Sequence, residues 1–208
     1  VRFKGAMRID VWRILIIYRY GGIYTDADMF PSKNFNETDP IGVHDEAVFL
    51  SDGWNRPSQW FFAMEPKHPI AYYTMLRIFA NLLELESIER PAVVFVTGPH
   101  ALKFGYSEAI GFRTDIDILA EGVYKCKWGK TAKKISGGSD YVRQLDMRGM
   151  VEWNGEKMTR KERMERLTGQ KHWVDQRNSK KVEFDGNCKD YLYALDHGLN
   201  NSTNNMFR

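Results

Sequence analysis

Only two cysteines occur in the chain, Cys126 and Cys188, and their separation excludes a close-spaced Cys/His metal cluster. They can form one disulfide or none. Long apolar runs are missing too: the longest, Ile14 to Tyr18, falls far short of the ~20 residues a membrane-spanning helix needs. The opening Val1-Arg2-Phe3-Lys4 has neither a start methionine nor the apolar region of a secretory leader. A first residue of this kind leads us to expect a preceding part, and any membrane association to come through an anchor in that part. There is no internal repeat. No recognisable nucleic-acid-binding module accompanies the basic residues, which argues against a nucleic-acid partner. Three sequons (Asn36-Glu37-Thr38, Asn200-Asn201-Ser202 and Asn201-Ser202-Thr203) point only faintly to a secretory route, since such triplets arise often by chance.

What is present suits one domain able to fold on its own core. The net charge of +3 hides a division: residues 1–124 hold 12 Lys/Arg against 16 Asp/Glu, whereas residues 125–181 hold 16 against 7. The basic stretch reads either as a solvated face or as a surface opposite something anionic, such as a diphosphate or lipid headgroups. We therefore expect a core unit over residues 1–124 and a basic, partly irregular extension of the same domain over 125–208.

The most informative stretch is Arg19-Tyr20-Gly21-Gly22-Ile23-Tyr24-Thr25-Asp26-Ala27-Asp28. It reads as a helix end, a glycine break, a short strand and two carboxylates. On a strand, Asp26 and Asp28 would share one side about 7 Å apart, a pair of hard oxygen ligands suited to a divalent cation and a diphosphate. The preceding helix is expected over Met7 to Tyr20, with Met7, Val11, Leu15 and Tyr18 at helical spacing. Asp10 and Arg13 share a face with Ile14 and Ile17, and are either a surface ion pair or part of the carboxylate cleft.

Further along, Ser32 to Pro40 reads as loop, Ala47 to Leu50 as a buried strand, and Trp60 to Met64 as an aromatic run. A helix is expected from Ile70 to about Ser87, with Tyr73, Leu76, Phe79, Ala80 and Leu83 on its core face. Ala92 to Val96 reads as a buried strand ending in Thr97-Gly98-Pro99-His100, and Ala101 to Ala109 as a short helix. Asp115 and Asp117 form a second Asp-x-Asp that alternates with Ile116 and Ile118, a structural pattern. Ser136 to Ser139 is loop-like, Met158 to Leu167 a charged helix with Glu162 and Arg166 at i,i+4, and Asp190 to Leu195 a possible strand.

Taken together, Asp10-x-x-Arg13, Tyr20-Gly21-Gly22-Ile23-Tyr24-x-Asp26-x-Asp28, Ser58-Gln59-Trp60 through His68-Pro69, and Thr97-Gly98-Pro99 resemble the DxD sugar-binding glycosyltransferases. The likeness is to the retaining family 32 type, which includes the initiating α-1,6-mannosyltransferases of fungal N-glycan outer chains. It covers roughly residues 7–105. The resemblance implies an α/β fold of the GT-A kind, incomplete at the N-terminus, and a secretory-pathway or Golgi setting. It implies a nucleotide-diphosphate sugar as donor, a glycan or glycoconjugate as acceptor, and Mn2+ or Mg2+ as cofactor. By the same resemblance Asp28 is the direct metal ligand, helped by Asp26. Asp10, Arg13, Tyr24, Asp26 and Gly98 border the donor, and Asp26, Asp28 and Arg13 carry the chemistry. A late histidine is expected to complete the metal site, His172 in preference to His197. Two departures stand out: only 25 residues precede Asp26, and Lys67 replaces the glycine usual before His-Pro.

Two other readings compete. An aspartate-based phosphatase also uses Asp-x-Asp, but its first aspartate ends a strongly apolar strand, and here only Ile23, Tyr24 and Thr25 separate Asp26 from the glycines. A catalytically degenerate glycan- or partner-binding module is the other. Trp54, Trp60, Phe61 and Phe62 suit sugar stacking, and suit a core equally well.

Overall fold

The computed structural model of the chain describes residues 5–84, 93–111 and 120–169. Helix α1 (Ala6–Tyr20) stops where Gly21 takes φ 69° and ψ −168°, a conformation essentially reserved for glycine. A Cβ on Gly21 would also stand 2.6 Å from Cδ of Pro66, so dihedral and contact both demand glycine there. Strand β1 (Gly22–Thr25) follows, then β2 (Met29–Pro31), α2 (Lys33–Thr38), β3 (Ala47–Ser51) and β4 (Pro57–Met64). Next come α3 (Pro69–Glu84), the single helical turn α4 (Val93–Val96) and α5 (Pro99–Ile110). The remainder holds β5 (Gly122–Lys125), β6 (Thr131–Ile135), α6 (Gly138–Tyr141), β7 (Val142–Gln144), β8 (Met150–Trp153), β9 (Glu156–Thr159) and α7 (Arg160–Thr168).

This is a mixed α/β structure built on a mixed sheet. Its strand order is β1-β4-β3-β6-β5, with β3 and β6 parallel and the other neighbours antiparallel. β3 is buried on both faces, which explains its unbroken apolar run Ala47-Val48-Phe49-Leu50. Phe49, Phe62 and Met64 pack with Ile14 and Ile17 of α1, Ile70 of α3, and Leu102 and Tyr106 of α5. Val48, Leu50, Phe61 and Ala63 face the other way, onto Ile135 and Val142. Because β6 lies between β3 and β5, residues beyond 125 supply an interior strand as well as β7, which pairs with β2, and both strands of the small β8–β9 pair. Among the described residues no helix is long and apolar enough to cross a membrane.

Several expectations are corrected. α1 turns Met7, Asp10, Arg13, Ile14 and Ile17 inward and leaves Leu15 exposed, so the buried stripe is the one carrying the ion pair. α3 buries Ile70, Ala71, Thr74, Ile78 and Leu82, an i,i+4 row, while Leu76 and Phe79 face solvent. Ser32 to Pro40 contains α2, capped by the Ser32 hydroxyl, which accepts from Phe35 N. Val93 to Val96 is helical rather than extended. Thr97 N and Gly98 N both donate to Val93 O (3.1 and 2.8 Å), and the Asn81 side chain on α3 donates to Phe95 O and Val96 O, each at 2.9 Å. Those tertiary bonds override the β-propensity of the run. Ser136 to Ser139 leads into α6 at Gly138. Met158 belongs to β9, so the charged helix starts at Arg160; there Glu162 closes a capping box with Thr159, and Arg166 pairs with Glu156 at 2.7 Å.

Cys126 is a buried thiol with no disulfide among the described residues, pushed up to about 12 by burial and so protonated near neutrality. His172, His197, Cys188, Asp115, Asp117 and the 190–195 strand lie outside the described residues.

The His68-Pro69 turn shows why glycine would suit the position before the histidine. Lys67 sits at φ 59°, where a Cβ is unfavourable, and its N–H donates to Tyr18 O at 2.7 Å. His68 is fully buried: Nδ1 accepts from Ile70 N at 3.3 Å, so Nε2–H donates to Thr131 O at 3.1 Å. It is a structural tie between α3 and β6. Lys67→Gly is expected to raise stability by about 1 kcal/mol, offset in part by glycine's freedom in the unfolded chain, and thermal unfolding measures it.

Candidate active site

Asp26 and Asp28 do not lie on a strand. β1 ends at Thr25, and Asp26 to Met29 form a turn closed by Met29 N donating to Asp26 O at 3.0 Å. The expected same-face alternation therefore does not place the two carboxylates; the turn does. Asp26 N donates to Trp60 O at 2.9 Å, and Leu145 N to Asp28 O at 2.7 Å, so β4 holds one end of the turn and the β7 segment the other. β1 itself is a short, mostly exposed edge strand, unlike the apolar strand an aspartyl-phosphate enzyme requires.

Arg13 is the hub. Its Nη2 pairs with Asp10 Oδ1 at 2.9 Å, and its Nη1 donates to Gln59 O at 2.7 Å and lies 3.3 Å from Asp26 Oδ1. The guanidinium also sits 4.5 Å from the centre of the Tyr24 ring, close enough for a cation–π attraction. Tyr24 in turn donates its hydroxyl to Asp26 Oδ1 at 2.7 Å. Asp10 accepts through Oδ2 from the fully buried Thr97 hydroxyl at 2.8 Å, and the buried Gln59 amide donates to Thr97 O at 3.0 Å.

Local irregularities deliver these groups. The β3–β4 register shifts between Phe49 and Ser51, and within the extra residues on β4 Ser58 Oγ donates to Phe61 O at 2.8 Å. A bulge of this kind re-aims the backbone, and here the Gln59 carbonyl meets Arg13, while the Trp60 carbonyl continues the β1–β4 ladder to Asp26 N. Thr97 is presented by the tight turn between α4 and α5. Gly98 is obligatory in that turn, since a Cβ would stand 2.8 Å from Val94 Cα and 2.9 Å from Val93 O. The structure thus brings Asp10, Arg13, Tyr24, Asp26, Gln59 and Thr97 into one network. Asp28 stands beside it, its Oδ2 accepting from Gln144 Nε2 at 2.8 Å. Gln144 had no local signal in the sequence, because only the pairing of β2 with β7 brings it there.

The electrostatics follow from burial. Asp10 is pushed up to about 6, chiefly by desolvation, which Arg13 and the Thr97 hydroxyl offset only in part. Asp26 is raised by burial against the lowering by Arg13 and Tyr24, and the charge of Asp28 adds to the rise. The Tyr24 phenol is driven up and stays protonated. A carboxyl that holds its proton more tightly folded than unfolded contributes stability that is full below the ordinary aspartate range and lost as pH rises through about 6. A carboxyl-carbon NMR titration is therefore expected to show an Asp10 midpoint near 6, and Asp10→Asn to flatten the fall in denaturation midpoint between about pH 4 and 6.

Each aspartate keeps one oxygen, Oδ2 of Asp26 and Oδ1 of Asp28, that takes no hydrogen bond or ion pair from the described residues. Among those residues no group of three or more His, Cys, Asp or Glu side chains is disposed to hold a metal ion. Two carboxylates with an oxygen each to give, and a mutual repulsion that a cation would relieve, fit Mg2+ or Mn2+, whose shells are habitually completed by water and phosphate oxygens. Arg13 is shared between Asp10 and Asp26, whereas Asp28 pairs with no cation among the described residues.

No curated protein matches the chain significantly. A solved structure named PaToxG Glycosyltransferase is similar at 19% identity and a TM-score of 0.40, over 51% of this chain and 36% of that one, so the chain spans about a third of that neighbour's length. Residues 2–48, which hold Asp10, Arg13, Tyr24, Asp26 and Asp28, match the family model for a glycosyltransferase sugar-binding region containing a DXD motif.

Proposed function

We propose that the chain is the DxD-bearing part of a metal-dependent glycosyltransferase of the family 32 type, with a GT-A-like fold. It moves a mannose-like hexose, with retention, from a nucleotide-diphosphate sugar to a glycan or glycoconjugate in the secretory pathway. One observation carries the reading. The matched stretch over residues 2–48 does not close its own site; Gln59 and Thr97, far along the chain, complete it around Arg13 and its partner Asp10. A surface ion pair would need no such convergence of buried polar groups from three separated blocks.

In this reading Asp28, helped by Asp26, holds Mn2+ or Mg2+, which when bound neutralises charge developing on the departing diphosphate. Tyr24 and Arg13 fix Asp26 by holding Oδ1, which leaves Oδ2 toward the ion. Asp10, its two oxygens taken by Arg13 and Thr97, borders the donor by fixing the guanidinium, an orienting role that depends on a rigid carboxylate. His172 and the donor-side role of Gly98 belong to the same proposal. Asp28→Ala is expected to reduce metal-dependent sugar transfer or donor hydrolysis by at least 100-fold while the far-ultraviolet circular dichroism stays unchanged. Full activity in that variant would remove Asp28 from the site. Metal-dependent nucleotide binding without turnover in the unaltered chain would instead favour the degenerate binding module.

A further inference from the structure

We propose that the β3–β4 hairpin tip and the facing α4–α5 turn form the acceptor subsite, with the Trp54 indole as the platform for a sugar ring. The proposal rests on the transferase reading above and names where its second substrate sits.

The loop joining Ser51 to Pro57 lies at the same end of the sheet as Asp26, since β1 runs antiparallel to β4 with Thr25 opposite Phe61. Its tip is held by an unusual number of bonds. Asp52 Oδ1 accepts from the N–H groups of Trp54 and Arg56, each at 2.9 Å, and Asp52 Oδ2 takes Nε and Nη2 of Arg56 at 2.9 and 2.7 Å. Asn55 adopts φ 56° and accepts through Oδ1 from Lys134 Nζ at 3.0 Å. All this ordering leaves Trp54 76% exposed, with its indole presented to solvent on a fixed support.

The indole does not stand alone. The Arg56 guanidinium lies 6.0 Å from its ring centre and 3.4 Å from His100 Nε2, and the His100 ring lies 4.3 Å from that of Phe95, tilted 39° to it, with Phe95 itself 60% exposed. Trp54, Arg56, His100 and Phe95 therefore make one continuous patch of flat apolar faces with polar edges. A pyranose needs both: its C–H face packs on an aromatic ring, and its hydroxyls require donors and acceptors alongside. The patch is tied to the candidate active site by parallel links, since Arg56 reaches His100 just as Gln59 reaches Thr97 three residues away on both elements.

The test is saturation-transfer NMR on the full chain with α-1,6-mannobiose and cellobiose as probes, comparing the unaltered protein with Trp54→Ala, Phe95→Ala and Trp128→Ala. Trp128 is also exposed but sits in the turn joining β5 to β6, at the other end of the sheet. The expected result is transfer to at least one disaccharide, weakened about tenfold in affinity by Trp54→Ala, less by Phe95→Ala, and unchanged by Trp128→Ala. Equal binding by the Trp54 variant, loss in the Trp128 variant instead, or no transfer to either sugar in the unaltered chain overturns the proposal. Binding of UDP and GDP with Mn2+ is measured in parallel. Its loss in the unaltered chain strikes the transferase reading, whereas its weakening by Trp54→Ala with sugar binding intact overturns the acceptor assignment alone.

Discussion

Arg13→Ala is expected to destabilise the chain by about 3–5 kcal/mol and, on the proposed function, to abolish sugar transfer even where the variant still folds. The side chain is buried, and so is its partner Asp10. Removing the guanidinium leaves the Asp10 carboxylate with the Thr97 hydroxyl, strips the Gln59 carbonyl of its donor, and leaves Asp26 Oδ1 with Tyr24. An uncompensated buried charge, rather than the lost contact itself, dominates that cost. Two measurements separate this account from simple loss of packing. Asp10→Asn in the Arg13→Ala background should recover stability, because it removes the stranded charge. The Arg13→Ala variant alone should also be less defective near pH 5 than near pH 8, since Asp10, already raised to about 6 beside Arg13, then takes up a proton more readily still. Arg13→Lys should not rescue activity: one ammonium cannot span Asp10, Gln59 and Asp26 in the manner of a planar fork.

How far this site could be read from the residues depends on whether its bonds are local. The helix and the Gly21-Gly22 break follow from short-range rules of periodicity and backbone freedom, whereas the paired aspartates, contiguous with them, lie on a turn that strand alternation does not describe. The sharing of a face by Asp10, Arg13, Ile14 and Ile17 is equally local, and the structure buries all four. What failed was the choice between rival stripes: Leu15 and Leu76 fit helical spacing as well as Ile14 and Ile78 do, and only the neighbouring elements decide which side meets the core. Val93 to Val96 misled for a related reason. Its β-branched residues favour extension, but Asn81, on α3, binds the carbonyls of a helical turn there. The bulge that aims Gln59 and the pairing that brings Gln144 to Asp28 have no signature in the sequence at all, since both arise from strand register.

Gly105→Ala gives the largest effect expected away from the site, and its sign distinguishes packing from propensity. Gly105 lies within α5, where alanine in its place would ordinarily favour the helix by about 1 kcal/mol. A Cβ at this position, however, would stand 2.2 Å from Thr74 Oγ1, 2.4 Å from Thr74 N and 2.6 Å from Thr74 Cα. Two of those atoms are backbone, and the third is held by the hydroxyl's bond to Ile70 O at 2.7 Å, so no rotamer change makes room. α3 and α5 must move apart, which opens the interface lined by Ile70, Ala71, Leu102 and Tyr106. The expected loss is about 3 kcal/mol or more, roughly 6–12 °C in thermal midpoint for a chain of this size. Gly53→Ala serves as the control, because nothing lies within 4 Å of the Cβ it would add, and it should shift the midpoint little. The damage should also reach the site. α5 starts one residue after Gly98, so a displaced helix draws Thr97 away from Asp10 and Gln59. Gly105→Ala should therefore lose the proposed sugar transfer at temperatures well below its own unfolding, whereas a variant that is merely less stable would keep full activity until it melts.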